Sequence, residues 1–305
     1  MTTNMLLPNA QTVAHRSLHI GERISWWAIF ARNLVIRHGV MQLLKAAKTR
    51  AIVILARLGS QPLIHVIGDS HVQVFKGISK YVLIHRLGPS TAYNLGRKGS
   101  TTNSNSQLFR IIENSSTRDI LVLVFGEIDC RIHIYNQYER NKRKFTISEL
   151  IDKTIARYGD VLKQLSRLDM RLAVYAVPPV GTAENAYGYP HYATREIRGM
   201  ITREFNQKLK LLCRRKGYKF LDIYSAVCDE RGFMPDEYAF DDTHLNGKVA
   251  GLIVDRFSDE FGIRLDRIPW TVGWAGMFRE AVSKRVKKLH RTTAEVANSN
   301  TSRST

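Results

Sequence analysis

Cysteine is scarce in this chain. Its 305 residues include three, Cys130, Cys213 and Cys228, far apart and with no CxxC pair. That argues against a disulfide scaffold and a structural zinc site, and suits a reducing compartment. Acidic residues are also few: 27 Asp and Glu face 46 Lys and Arg, for a formal charge of +19. Such a surplus favours contact with something acidic, whether nucleic acid, anionic lipid or an anionic glycan. The first twenty residues lack the apolar core of a secretory signal, holding only the Met5-Leu6-Leu7 patch. Long apolar runs are missing as well. The most apolar stretch, residues 26–44, is interrupted by Arg32, Arg37 and His38; charges near the centre of a span are costly, so it is not expected to cross a membrane. No internal repeat is visible. Nor is there a zinc-finger, RNP or helix-turn-helix signature, which disfavours nucleic acid as the partner of all this charge.

What is present is enough apolar material, 44% of residues, for a proper core. Four segments are expected. Residues 1–20 read as a loose or disordered N-terminus. Residues 21–60 follow a helical pattern (Trp26, Trp27, Phe30, Leu34, Met41, Leu44), with many cations, Glu22 as the only acid and a break near Gly39. Two readings stay open for them: a helical extension packed on the domain, or a basic amphipathic segment making peripheral contact with an anionic membrane. The expected location is accordingly cytoplasmic, with the membrane surface as the alternative. Residues 61–265 form the main domain, and 266–305 a basic tail whose Ser-, Thr- and Asn-rich end is expected to be disordered.

Within the main domain, short apolar runs alternate with helical patterns. The strand candidates are Leu63–Ile67, Tyr81–His85, Ile120–Phe125, Leu172–Val177 and Lys219–Ile223. The helices are Val72–Lys80, Ser106–Glu113, Ser148–Leu168, Thr194–Arg215 and Gly247–Phe261. Five strands alternating with helices predict an α/β fold: a flavodoxin-like three-layer α/β/α sandwich on a parallel sheet of about five strands. Two long loops, 88–106 and 178–194, follow strands and so belong at the sheet edge where ligands bind.

Three polar patches fall at strand ends or before a helix: Gly68-Asp69-Ser70-His71, Gly126-Glu127-Ile128-Asp129-Cys130-Arg131, and Asp241-Asp242-Thr243-His244. A serine at a strand-to-helix turn is either a helix cap or a nucleophile. A nucleophile needs a base, since its hydroxyl is scarcely ionised at neutral pH, and the base needs a carboxylate to orient it. Asp241-x-x-His244 supplies both from one segment, with Asp242 as a competing carboxylate. Asp69, Glu127 and Asp129 read as loop-ordering acids. Arg131, near His133, reads either as an anion-binding residue for substrate or as a surface ion pair.

Gly-Asp-Ser closing the first strand, with Asp-x-x-His before the last helix, resembles the SGNH, or GDSL-type, hydrolase superfamily. The likeness spans roughly residues 63–262, with Phe205-Asn206-x-x-Leu209 and Asp222 as looser matches. It implies Ser70 as nucleophile, His244 as general base and then acid, and Asp241 as its partner. It also implies an oxyanion hole from the serine amide, a glycine amide and an asparagine side chain. Gly96 is the best glycine match, with Gly88 and Gly99 as rivals. The third block departs: Ile128 stands where the superfamily has asparagine. Either Asn94, Asn103 or Arg131 supplies the missing donor, or the protein is slow, or it does not transfer acyl groups.

The expected function is an esterase or acyltransferase on O-acyl, especially O-acetyl, groups of a sugar or other small ester. Asn94 and Arg131 are candidate substrate contacts, and no cofactor or metal is expected. Two alternatives come from other classes. One is a non-catalytic module binding an anionic polymer or membrane. The other is a metallophosphoesterase built on Asp69-x-His71 and Glu127-x-Asp129.

Overall fold

The computed structural model describes residues 43, 47, 49–59, 61–186, 189–263 and 265. The expectations for the paired tryptophans, the Gly39 break and the basic tail lie outside those residues. The chain divides into two compact units, Met1–Leu58 and Gly59–Thr305. In the first, residues 49–58 are helical. No described helix is long and apolar enough to cross a membrane.

The second unit is built on five parallel strands: β1 (Ile64–Gly68), β2 (Val82–Arg86), β3 (Ile120–Val124), β4 (Arg171–Tyr175) and β5 (Lys219–Leu221). They lie in the order β2-β1-β3-β4-β5, each paired in parallel with its neighbour. This is the flavodoxin-like order, whose switch point lies between β1 and β3. β3 shows why the sheet is closed on both faces. Its Ile120, Val122 and Val124 join one apolar cluster and Leu121 and Leu123 the other, all five buried.

The helices are α1 (Ser104–Glu113), α2 (Ile134–Arg140), α3 (Ile147–Leu165), α4 (Arg195–Lys216), α5 (Tyr224–Val227) and α6 (Ala250–Phe261). α3 and α4 cover one face through Tyr158, Leu162, Phe205 and Leu209, and α6 covers the other through Ile253 and Phe257. A Thr146–Glu149 capping box starts α3, and Gly217 at φ 73° ends α4.

The expected helix over Val72–Lys80 is instead a six-residue 3₁₀ turn, Ser70–Phe75. Val72 and Val74 are both buried in that turn, and Gly77 at φ 82° redirects the chain. α2, α5 and a π-helical turn at Asp129–His133 lack the apolar periodicity that would announce them.

Candidate active site

Each of the three polar patches stands at the carboxyl edge of the sheet for a local reason. After β1 the chain turns against β3 so closely that a Cβ on Gly68 would sit 2.0 Å from the Val124 carbonyl oxygen. Only glycine fits there. Asp69 then caps the 3₁₀ turn by accepting the His71 amide at 2.8 Å, which leaves the Ser70 hydroxyl facing the site.

The third patch is a tight hairpin. Phe240 N–H donates to the His244 carbonyl at 2.7 Å, and Ala239 pairs antiparallel with Leu245. Asn246 anchors its base by donating to the Glu237 and Ala239 carbonyls. Inside it, Asp241 Oδ1 accepts the backbone N–H groups of Thr243 and His244. That turn brings the carboxylate to the His244 ring, with Oδ1 and Oδ2 at 2.8 and 2.9 Å from Nδ1. Nδ1 is thereby fixed as donor and Nε2 as acceptor, and Nε2 stands 2.8 Å from Ser70 Oγ.

Ser70, His244 and Asp241 are thus brought together, and Asp242 is turned away. Its carboxylate accepts the Thr182 hydroxyl and its carbonyl the Ala183 amide. Burial alone would push the Asp241 carboxyl up, but the His244 hydrogen bond and charge and the amides of Thr243 and His244 hold it well below the usual range. Burial and the nearby His71 lower the His244 pKa against the pull of Asp241. A serine hydroxyl on a neutral imidazole that is itself tied to a carboxylate can transfer a proton along one line.

In the second patch one acid keeps its expected role and the other does not. Asp129 orders the loop, accepting the Ala92 and Tyr93 amides at 2.7 and 3.2 Å. Glu127 binds side chains instead of loop amides: Arg131 Nε at 2.5 Å and His71 Nε2 at 3.4 Å. Arg131 is largely buried, so it is not a surface pair. As a metal-ligand set these acids are already committed to other donors, and among the described residues no group of three or more His, Cys, Asp or Glu is placed to hold a metal ion.

A Cβ on Gly96 would meet Val161 of α3 at 3.2 Å, and Gly96 lines neither cavity described below. Gly99, at φ 69°, leads instead into Ser100–Thr102 on the site side. Asn103 is exposed in the left-handed region at the start of α1. Asn94 and Arg131 share a 690 Å³ groove with Ile128, Thr91, Ser100–Thr102, His133 and Tyr189, so both long loops reach it. A smaller cavity of about 40 Å³ adjoins Ser70 and His244, walled by Val74, Tyr175, Phe240 and Leu245.

Of the looser matches, Asn206 on α4 clamps the start of the second long loop by bonding both the N–H and the carbonyl of Val177. Asp222 pairs with Lys210 and Ser225 instead. Tyr175 and Phe240 carry no local mark that separates cavity walls from core residues, so sequence reasoning misses them.

A parallel α/β sheet brings Ser70, His244 and Asp241 together at its carboxyl edge, as the GDSL-type resemblance implied. The chain belongs to the GDSL-like Lipase/Acylhydrolase family, whose model matches residues 66–250, and it is a hydrolase. Comparison with curated proteins gives no match. Among solved structures, similarity is found to an acetyl xylan esterase at 12% identity, covering 65% of this chain and 98% of that one, TM-score 0.42. An acetylxylan esterase from Geobacillus stearothermophilus matches at 13%, covering 68% and 95%, TM-score 0.42. A carbohydrate acetylesterase from Sinorhizobium meliloti matches at 14%, covering 66% and 99%, TM-score 0.42.

Proposed function

We propose that this hydrolase is a serine-dependent esterase or acyltransferase acting on O-acyl groups, specifically O-acetyl on a sugar or glycan. One observation carries the reading: the unbroken Ser70–His244–Asp241 line, at 2.8 Å on both sides of the imidazole.

In the reaction, His244 Nε2 takes the Ser70 proton as Oγ bonds to the ester carbonyl carbon and the carbonyl electron pair moves onto its oxygen. That pair returns, the bond to the alcohol oxygen breaks, and His244 hands the alcohol its proton. Asp241 stabilises the imidazolium between the two transfers. Water or a second hydroxyl then takes the acyl group from Ser70 by the same steps, giving hydrolysis or transfer.

The two cavities support the substrate class. The 40 Å³ space beside Ser70 suits a short acyl group better than a long chain, with Val74, Phe240 and Leu245 as its apolar wall and Gln73 and Arg86 beside them. The 690 Å³ groove has room for a sugar, with hydroxyl and amide side chains and the Tyr189 ring. Asn94 and Arg131, which share that groove with Ile128, are the candidate donors in place of the superfamily's asparagine.

The test is hydrolysis of p-nitrophenyl acetate, with fluorophosphonate labelling alongside. Wild type should turn over and label. Ser70→Ala should lose labelling and at least about 10³-fold in kcat. Equal rates in the two proteins would sink the assignment.

A further inference from the structure

Asp241 ties His244 to its own hairpin, three residues away, and is itself 41% exposed. It therefore orients the imidazole without fixing the hairpin to the sheet. From the sheet side the Ser70 hydroxyl reaches His244. The His71 ring stacks on it with centroids 4.5 Å apart and planes 27° apart. His71 is rooted from both strands at the switch point. Its backbone N–H donates to Asp69 after β1, and its Nε2 faces Glu127 after β3, which Arg131 grips through Nε.

We propose that His71 and Glu127 form a second, buried histidine–carboxylate dyad that positions the His244 ring and keeps it neutral. The inference rests on the reading of His244 as the base. His71 lines the small cavity beside Ser70, but its role here is positioning, since it acts through the His244 ring it stacks on.

Charge supports the geometry. Glu127 and Arg131 are joined by His71 and by Asp69, whose carboxyl burial pushes up to about 6; above that pH a protonated His71 makes the buried quartet neutral, and buried charges persist only when so paired. Other titratable groups around the rings are Tyr175 from β4, Arg86 at the end of β2, and Asp241 on the hairpin. Burial would lower the His71 pKa, but Asp69 and Glu127 raise it overall. Burial would likewise raise that of Glu127, but His71 and Arg131 hold it down to about 2. A cation stacked on His244 opposes a second positive charge on that ring, so the base stays free to accept a proton at lower pH.

Two variants separate charge from packing. His71→Asn removes both the ring and its charge; His71→Phe keeps a ring face against His244 without the charge. The readout is the titration of His244 in ¹⁵N-histidine-labelled full-length protein, set beside the pH profile of kcat/KM. In both variants the His244 midpoint should rise by about one pH unit, as expected on removing a like charge at this range. The acid limb of kcat/KM should move up with it, and His71→Phe should keep the higher kcat.

A His244 midpoint unmoved in both variants overturns the proposal. If neither variant folds, Glu127→Gln decides: the midpoint of His71 itself should fall, and an unchanged value overturns the dyad. The NMR titration needs no turnover. A protein without esterase activity would therefore defeat the functional reading and leave this test standing.

Discussion

Gly181 lies outside the Ser–His–Asp line, yet a single methyl there should disable it. The residue sits early in the second long loop, against the hairpin that carries Asp241 and His244. An added Cβ would lie 2.0 Å from the Asp242 carbonyl oxygen, 2.7 Å from its carbon and 3.1 Å from the Thr243 nitrogen. Those are backbone atoms, so no side-chain rotation relieves the clash. Ordinary heavy-atom contact is about 3.5 Å, so loop or hairpin must retreat by about 1 Å or more. The hairpin is the part free to yield, because the loop is held by Asn206 at Val177 and by the Met234 amide at Val180. A 1 Å retreat lengthens the 2.8 Å Ser70–His244 contact beyond useful hydrogen-bonding range. Misplacement of that size costs about 10²-fold in rate, or about 2.7 kcal/mol in the barrier. Overpacking should also cost about 1–3 kcal/mol of stability. The assay is kcat/KM on p-nitrophenyl acetate for wild type and Gly181→Ala, with urea unfolding on the same preparations. A folded Gly181→Ala protein within about twofold of wild-type kcat/KM would refute the reasoning.

Three further outcomes are expected. Asp241→Asn keeps the shape of the hairpin but loses the charge that orients and stabilises His244, so kcat should fall by about 10³–10⁴-fold with little change in KM. Asp129→Ala strands the buried amides of Ala92 and Tyr93 and should lower the unfolding free energy by about 2–4 kcal/mol in urea titrations. His85 packs its Nε2 3.0 Å from His65 Nδ1, and burial followed by the His65 charge lowers its pKa from the ordinary 6.5 to about 4. Between those values the unfolded chain binds the extra proton, so stability falls as pH drops from 6.5 towards 4, by up to about 3 kcal/mol. His85→Gln should flatten that limb of the stability curve; an unaltered slope would remove His85 as its cause.

The sheet was readable because a parallel strand buried on both faces leaves a continuous apolar run, as at Ile120–Val124. Ser70, His244 and Asp241 were readable because their partners are set either by short spacing or by the turn at a strand end. Other features depend on contacts across the fold. Val72 and Val74 looked helical, but the packing at Ser70–Phe75 allows only a 3₁₀ turn. The choice among Gly88, Gly96 and Gly99 is not legible, because a turn of a few residues reverses direction and the sequence does not say which amide ends inward. Glu127 reads as a loop acid and His71 only as part of the alternative metal-ligand set, because their pairing and the 4.5 Å stack of His71 on His244, 173 positions away, are contacts across the fold.

The separation of Ser70 from His244 bears on how the molecule acquires its chemistry. These two atoms meet across 174 residues of chain, and nearly every element of the sheet lies between them. Loop closure on that scale is slow, and it yields no contact until the intervening strands have paired in order. Catalytic competence should therefore emerge last during refolding, after far-ultraviolet signal and burial of the tyrosines have recovered. Truncated or stalled chains would carry the nucleophile without its base, and would be chemically silent until the C-terminal hairpin arrives.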